Sequence, residues 1–226
     1  MRQKSIPCEA EKPFEIFYEG SRVGLYYIDV WIDNGKIILE NKVKHEILPL
    51  HKGQALSYLK ITNADLALVV NFGSSSLQVE RLPNFLRDKK PEFDWVLPPI
   101  LNDLLYPELT NKIMQACHRV HFVLGTGFLH QVYRRAVMVE LNRLNIDYDY
   151  IKQLPVEFMG HLLGYEESRV ILVEENVLLA TVAYQEADAN AMISKMRSLL
   201  KRLDLNMGIV ANFRGTICSI TPVRIR

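Results

Sequence analysis

Short stretches rich in β-branched and aromatic residues, partly alternating with polar ones, predict strands over residues 14–18, 23–32 and 36–43. Asp33-Asn34-Gly35 between the last two is a hairpin-turn sequence, because Asn and Gly tolerate the left-handed backbone of tight turns. Helical spacing takes over at 54–62. The apolar run 66–72 suits a buried strand, and 77–82 reads as a more exposed one. Apolar positions then recur at helical spacing from 109 to 144, through Ile113, Ala116, Cys117 and Val120, then Val132, Ala136, Val139 and Leu144. Gly125-Thr126-Gly127 divides this region into two helices; it lacks the Lys-Ser/Thr of a phosphate-binding loop and follows no strand, so it reads as a turn. Strands are expected again at 154–159, 168–173 and 177–184, a helix at 187–203, and strands at 207–213 and 216–223.

The order β-β-β-α-β-β therefore occurs twice, and the residues repeat with it. Ser57-Tyr58-Leu59-Lys60 returns as Ser198-Leu199-Leu200-Lys201, and Leu68-Val69-Val70-Asn71-Phe72 as Ile209-Val210-Ala211-Asn212-Phe213, both 141 positions on. A shared offset without a gap points to a duplication. Pro13-Phe14-Glu15-Ile16 resembles Pro155-Val156-Glu157-Phe158 with the offset changed by one. The copies are unequal: only the second is preceded by the helical region, so the first is short of one or two helices. Its sheet must be covered by the linker, by the second unit, or by a second subunit in a homodimer. Residues 88–107 hold four prolines and few small residues, as an ordered connector would. The expected division is a truncated unit at 1–90, a connector at 91–107 and a full-length unit at 108–226.

Composition narrows the field. The chain has 226 residues, 49% of them apolar, and a formal charge of +1, so no global field draws it to nucleic acid or a membrane, although a local basic groove fits within a neutral total. Cys8, Cys117 and Cys218 are odd in number and far apart, which argues against a disulfide framework or a cysteine-ligated metal. The N-terminal Met-Arg-Gln-Lys-Ser-Ile-Pro has no apolar signal stretch, and no run is long enough to cross a bilayer. The expectation is a cytoplasmic protein with no membrane partner.

The candidate chemistry lies in the first hairpin. Asp29 is on one strand, and Glu40 and Lys42, two apart on the next, project together. Glu40 ends the apolar run Ile37-Ile38-Leu39, where a carboxylate is costly without a partner. A divalent ion would reconcile two neighbouring carboxylates, and Mg²⁺ prefers such oxygen ligands. On these residues alone the plainer alternative is a Glu40–Lys42 pair on an exposed edge with Asp29 solvated. Gln54 and Tyr58 then stack on one helix face at i and i+4. His118 and His121 lack a third ligand nearby and read as helix-face polar residues. Arg134, Arg135, Arg197, Lys201, Arg202 and Arg214 offer phosphate contacts, with a solvated helix surface as the default.

Asp, then Glu-x-Lys, then Gln-x-x-x-Tyr resembles the RecB-type branch of the PD-(D/E)XK nucleases. Residues 14–82, with Val70-Asn71-Phe72-Gly73 as a strand end, are similar to the C-terminal part of the GxxExxY family. Leu109-Thr110-Asn111-Lys112-Ile113 through Gly125-Thr126-Gly127-Phe128-Leu129-His130-Gln131-Val132-Tyr133 is similar to that family's N-terminal signature. The resemblance implies an α/β fold of two restriction-endonuclease-like units in tandem. It implies a metal-dependent nuclease acting on DNA or RNA, with Asp29 and Glu40 holding Mg²⁺ or Mn²⁺, Lys42 positioning water, and Gln54 and Tyr58 orienting the site. The signature Glu is His130 here. At the common offset Asp29, Glu40 and Lys42 become Val170, Thr181 and Ala183, while Gln54 and Tyr58 become Lys195 and Leu199, so the second copy is expected to be inactive. The competing expectation is an inactive module of the same fold that binds nucleic acid or protein.

Overall fold

The computed structural model describes residues 6–85, 92–96, 104–184 and 186–225. The first half runs β1 (Cys8–Tyr18), β2 (Ser21–Ile32), β3 (Ile37–Lys42), α1 (Pro49–Thr62), β4 (Leu66–Asn71) and β5 (Gln78–Pro83). The helices α2 (Pro107–Leu124) and α3 (His130–Arg143) follow. The second half then runs β6 (Tyr148–Phe158), β7 (His161–Val173), β8 (Val177–Val182), α4 (Glu186–Arg202), β9 (Met207–Asn212) and β10 (Ser219–Arg224). The strands form two five-stranded sheets of one topology, β1-β2-β3-β4-β5 and β6-β7-β8-β9-β10. In each, only the third and fourth strands are parallel, and the helix between them is the crossover that parallel pairing requires. The fold is α/β, with two units of one topology, as the sequence predicts.

Local chemistry explains the boundaries. Pro49 opens α1, where its fixed φ is pre-organised and its missing N–H is no loss. Asn63 closes it in the left-handed conformation, donating its N–H to the Leu59 carbonyl. The β2–β3 turn places Asp33, Asn34 and Gly35 all at positive φ. About half of the expected connector, 91 and 97–103, lies outside the described residues; of the part within, Phe93 and Trp95 pack on Phe122 and His118 of α2.

One core joins both halves. Ile16, Ile28, Ile38 and Val69 from the first sheet, Val120, Tyr133 and Val137 from α2 and α3, and Val173, Leu179, Ile209 and Phe213 from the second sheet form a continuous buried cluster. Tyr133 stacks on Phe213 with ring centroids 4.5 Å apart. The layers are thus first sheet, a helical layer of α1, α2 and α3, second sheet, and α4. A separate cluster seats Met196, Leu199 and Leu200 of α4 on Leu178, Ala180, Val182 and Val210. With helices on both faces, β8 is buried at every position, whereas β3 alternates. The second unit therefore lends its leading helices to the first, covering the same face as α1. The other face of the first sheet leaves Phe17, Leu25, Tyr27 and Val79 exposed.

Strand pairing corrects one sequence equivalence. Lys42 pairs with Asn71 and Val182 with Asn212, so Lys42 corresponds to Val182 and Glu40 to Ala180, rather than to Ala183 and Thr181. The cause is the turn before β8, Glu174–Asn176, which is one residue shorter than the Asp33–Lys36 connection before β3.

Candidate active site

Glu40 is 4% exposed, on the face of β3 that α1 covers. Its Oε1 accepts a hydrogen bond from Lys42 Nζ at 2.6 Å, and its Oε2 has no partner. Lys42 Nζ also donates to Gln54 Oε1 at 3.0 Å. Gln54 Nε2 donates in turn to the Tyr26 hydroxyl at 3.2 Å and to the Tyr58 hydroxyl, which fixes the amide with its oxygen towards Lys42. The Tyr26 and Tyr58 rings pack with centroids 4.5 Å apart. Asp29 lies on β2 where strict alternation breaks: Ile28 and Trp31 are buried while Asp29 and Val30 are half-buried. Its Oδ2 accepts the Asn41 backbone N–H at 2.7 Å. The chain Glu40–Lys42–Gln54–Tyr58 is thus continuous, and Asp29 joins it through the backbone of β3.

The electrostatics follow the geometry. Burial pushes the Glu40 carboxyl above its ordinary range; Lys42 opposes this and the charge of Asp29 adds to it. Burial also drives the hydroxyls of Tyr58 and Tyr26 upward, so both stay neutral. A cavity of about 320 Å³ adjoins Lys42 and Gln54, and its wall includes Lys44, His51, His130 and Arg214. His51 accepts the Leu48 N–H on Nδ1 at 3.1 Å, and burial together with Lys42, Lys44 and Arg214 lowers its pKa.

Tyr26 and His51 were not legible as site residues, and Arg214 was legible only as one of six basic residues that offer phosphate contacts. Tyr26 looks like any aromatic strand residue, and Arg214 approaches from the other half of the chain, at the position that Gly73 occupies in the first copy. His130 also stands on the cavity wall. Two defaults are corrected. His121 is buried, with Nε2 3.0 Å from the Gly215 carbonyl, and Arg134 is buried rather than solvated. The basic residues share no single face: Arg135 reaches the Val23 carbonyl, and Arg202 pairs with Glu166.

A family model of the PD-(D/E)XK nuclease superfamily matches residues 1–82 and 107–221. The chain belongs to that superfamily. The nucleases of that superfamily act on nucleic acid and usually use divalent metal ions. No curated protein matches the chain. A solved structure described as "Crystal structure of SSO0001" is similar at 26% identity over 34% of this chain and 41% of its own, with a TM-score of 0.28. Among the described residues no three His, Cys, Asp or Glu side chains cluster as a metal site. The unpartnered Glu40 Oε2 beside Asp29 is nevertheless the donor set that a hard cation takes. No described helix is long and apolar enough to cross a membrane.

Proposed function

We propose that this superfamily member is a GxxExxY-type tandem and a metal-dependent nuclease, cytoplasmic, with one active centre, in the unit at residues 1–90. The observation that carries this is Glu40: a buried carboxylate with one oxygen tied to Lys42 and the other without a partner. Asp29 and Glu40 would hold Mg²⁺ or Mn²⁺, which supplies neutralisation of the charge developing on the scissile phosphate. Lys42 uses two of its three N–H donors on Glu40 and Gln54, which leaves the third for a phosphoryl oxygen or the attacking water. Gln54, locked by the two tyrosine hydroxyls, holds the ammonium in place. Lys44 and Arg214 on the cavity wall suit the phosphates on either side. The second unit, with Val170, Ala180 and Val182 at the catalytic positions, performs no cleavage.

The competing function, an inactive binding module, is favoured by one observation: Asp29 is already engaged by the Asn41 N–H, and Lys42 by Glu40. Nicking of plasmid DNA and cleavage of single-stranded RNA, with Mg²⁺ or Mn²⁺, separates the two. Glu40→Ala should lower cleavage at least about 100-fold, since loss of even an outer partner of a metal ligand costs about 10–100-fold. Equal activity in wild type and Glu40→Ala, or no cleavage together with no metal binding by calorimetry, would reject the nuclease.

A further inference from the structure

Among the described residues, every buried side-chain polar atom without a hydrogen-bond partner lies in one of two places. Glu40 Oε2 is in the site above. Ser168 Oγ, Arg169 Nε and Thr181 Oγ1 belong to residues that line a single cavity of about 650 Å³ in the second unit. Ala180 and Val182 are on its wall, so it is the counterpart of the first unit's catalytic cleft. Ser168 is 7% exposed and Thr181 4%. A buried polar group left unpaired is costly, so three on the lining of one cavity call for a ligand.

The cations around them specify its charge. Arg134 is 6% exposed and lies over the Tyr150 ring at 5.3 Å, and no described carboxylate pairs with it. Arg169 of β7 and Lys195 of α4 line the same cavity, and Lys195 also donates to the Glu167 carbonyl at 2.9 Å and lies 3.4 Å from the Glu166 carboxylate. Glu167, the carboxylate on the wall, is engaged by Arg169 at 2.9 Å. A buried guanidinium without a counter-ion is costly, and an entering anion would remove that cost.

This cleft is also locally rebuilt. The β6–β7 pairing slips by one between Ile151 and Gln153, opposite Ser168 and Arg169, and Arg169 sits at φ 52°. The equivalent part of β1–β2 has no slip. The extra residue lies beside Val170, which stands where Asp29 stands in the first unit. Such bulges re-aim side chains, and a non-glycine residue in this conformation is held there by its surroundings.

We infer that the second unit's cleft, stripped of metal ligands, is a phosphate-binding pocket in which Arg134, Arg169 and Lys195 supply charge and Ser168 and Thr181 supply hydroxyl donors. Phosphate oxygens match guanidinium forks and hydroxyls in number and geometry. The group comes either from a free phosphate compound or from a nucleic-acid backbone. His130 stands on the walls of both this cavity and the one beside Lys42, so a strand at Lys42 would continue into the pocket. That source rests on the nuclease function; the pocket itself does not.

The test uses the full chain in EDTA, with a labelled single-stranded oligonucleotide and inorganic phosphate as separate probes. Arg169→Gln and Thr181→Val should each weaken the binding about tenfold, the order of one charge-assisted hydrogen bond. Phosphate or oligonucleotide should raise the melting temperature of wild type more than that of Thr181→Val. That variant should itself be at least as stable, because it keeps the shape and removes an unpaired hydroxyl. Glu40→Ala should bind at least as tightly as wild type, so loss of cleavage and loss of this pocket are read separately. Binding of phosphate at the oligonucleotide's affinity identifies a free phosphate group as the ligand; binding of the oligonucleotide alone identifies a strand. Unchanged affinity for both probes in both variants overturns the pocket.

Discussion

Glu140 of α3 is 1% exposed, yet it holds the two halves of the chain together. Tyr18 of β1 donates to it at 2.7 Å, Arg119 of α2 pairs with it at 2.7 Å while also reaching Glu19, and Arg143 adds a further pair. Burial alone would raise this carboxyl, but the hydrogen bonds from Arg143 and Tyr18 and the charge of Arg119 outweigh it and hold the pKa below the ordinary range. A depressed folded-state pKa means stability that is present above the unfolded value, about 4.3, and lost as pH falls through the folded one. Denaturant unfolding followed against pH should show that loss in wild type and not in Glu140→Gln. At neutral pH Glu140→Ala should cost about 2–3 kcal/mol, less than a fully buried pair because Arg119 and Arg143 reach water. An unchanged acid limb in Glu140→Gln would refute the assignment. Glu40 could be picked out in the sequence because it ends an apolar run. Glu140 could not, since its partners Tyr18 and Arg119 lie 122 and 21 residues away.

At the scale of elements, the turn between α2 and α3 is pressed against α1. A Cβ on Gly127, which has φ 104°, would lie 2.5 Å from Gln54 Cγ. Gly127→Ala should therefore displace Gln54 from Lys42, costing about 1–3 kcal/mol of stability and about tenfold or more in cleavage. Gly20 separates the two effects: its φ is 76° but nothing lies within 4 Å of an added Cβ. Gly20→Ala should cost about 1 kcal/mol of backbone strain and leave cleavage unchanged. Parallel melting curves and nicking assays would check both, and equal cleavage in the two variants would refute the coupling. The order of strands and helices along the chain and the helix break at Gly125–Gly127 were legible, because period and turn chemistry are local. The start of α1 was not: His51-Lys52-Gly53 has no apolar period, and Pro49 sets the first turn instead. The register of β8 was not legible either, since a one-residue difference between turns leaves the flanking apolar pattern intact and is decided only by pairing with β9.

At the scale of the whole molecule, the two units are not independent bodies. The repeated topology suggests two separable domains, because each half has the same strands and crossover. Yet the helical layer that the second unit carries ahead of its own sheet also closes the first sheet. Ile16, Tyr18 and Val23 of the first unit are buried in the same cluster as Val120, Val132 and Tyr133, and Tyr26 meets Phe128 edge-on. Removing residues 91–226 would return those four side chains to water, a loss of about 6–12 kcal/mol. The whole stability of a small domain is about 5–15 kcal/mol. The other face of that sheet already exposes Phe17, Leu25, Tyr27 and Val79, so the isolated unit would be apolar on both sides. A fragment of residues 1–90 should therefore be insoluble or fail to unfold cooperatively. Co-expression with residues 91–226 should recover a soluble complex in which α2 and α3 dock as they do in the intact chain. The same fragment should show no cleavage alone, since His130 and Arg214 on the wall of its cavity come from the other piece. Sedimentation and thermal melting of the two pieces, separate and combined, decide the matter. A 1–90 monomer that is soluble and melts in one cooperative transition would mean that the first unit closes its own core, and that the shared helical layer is packing between finished domains.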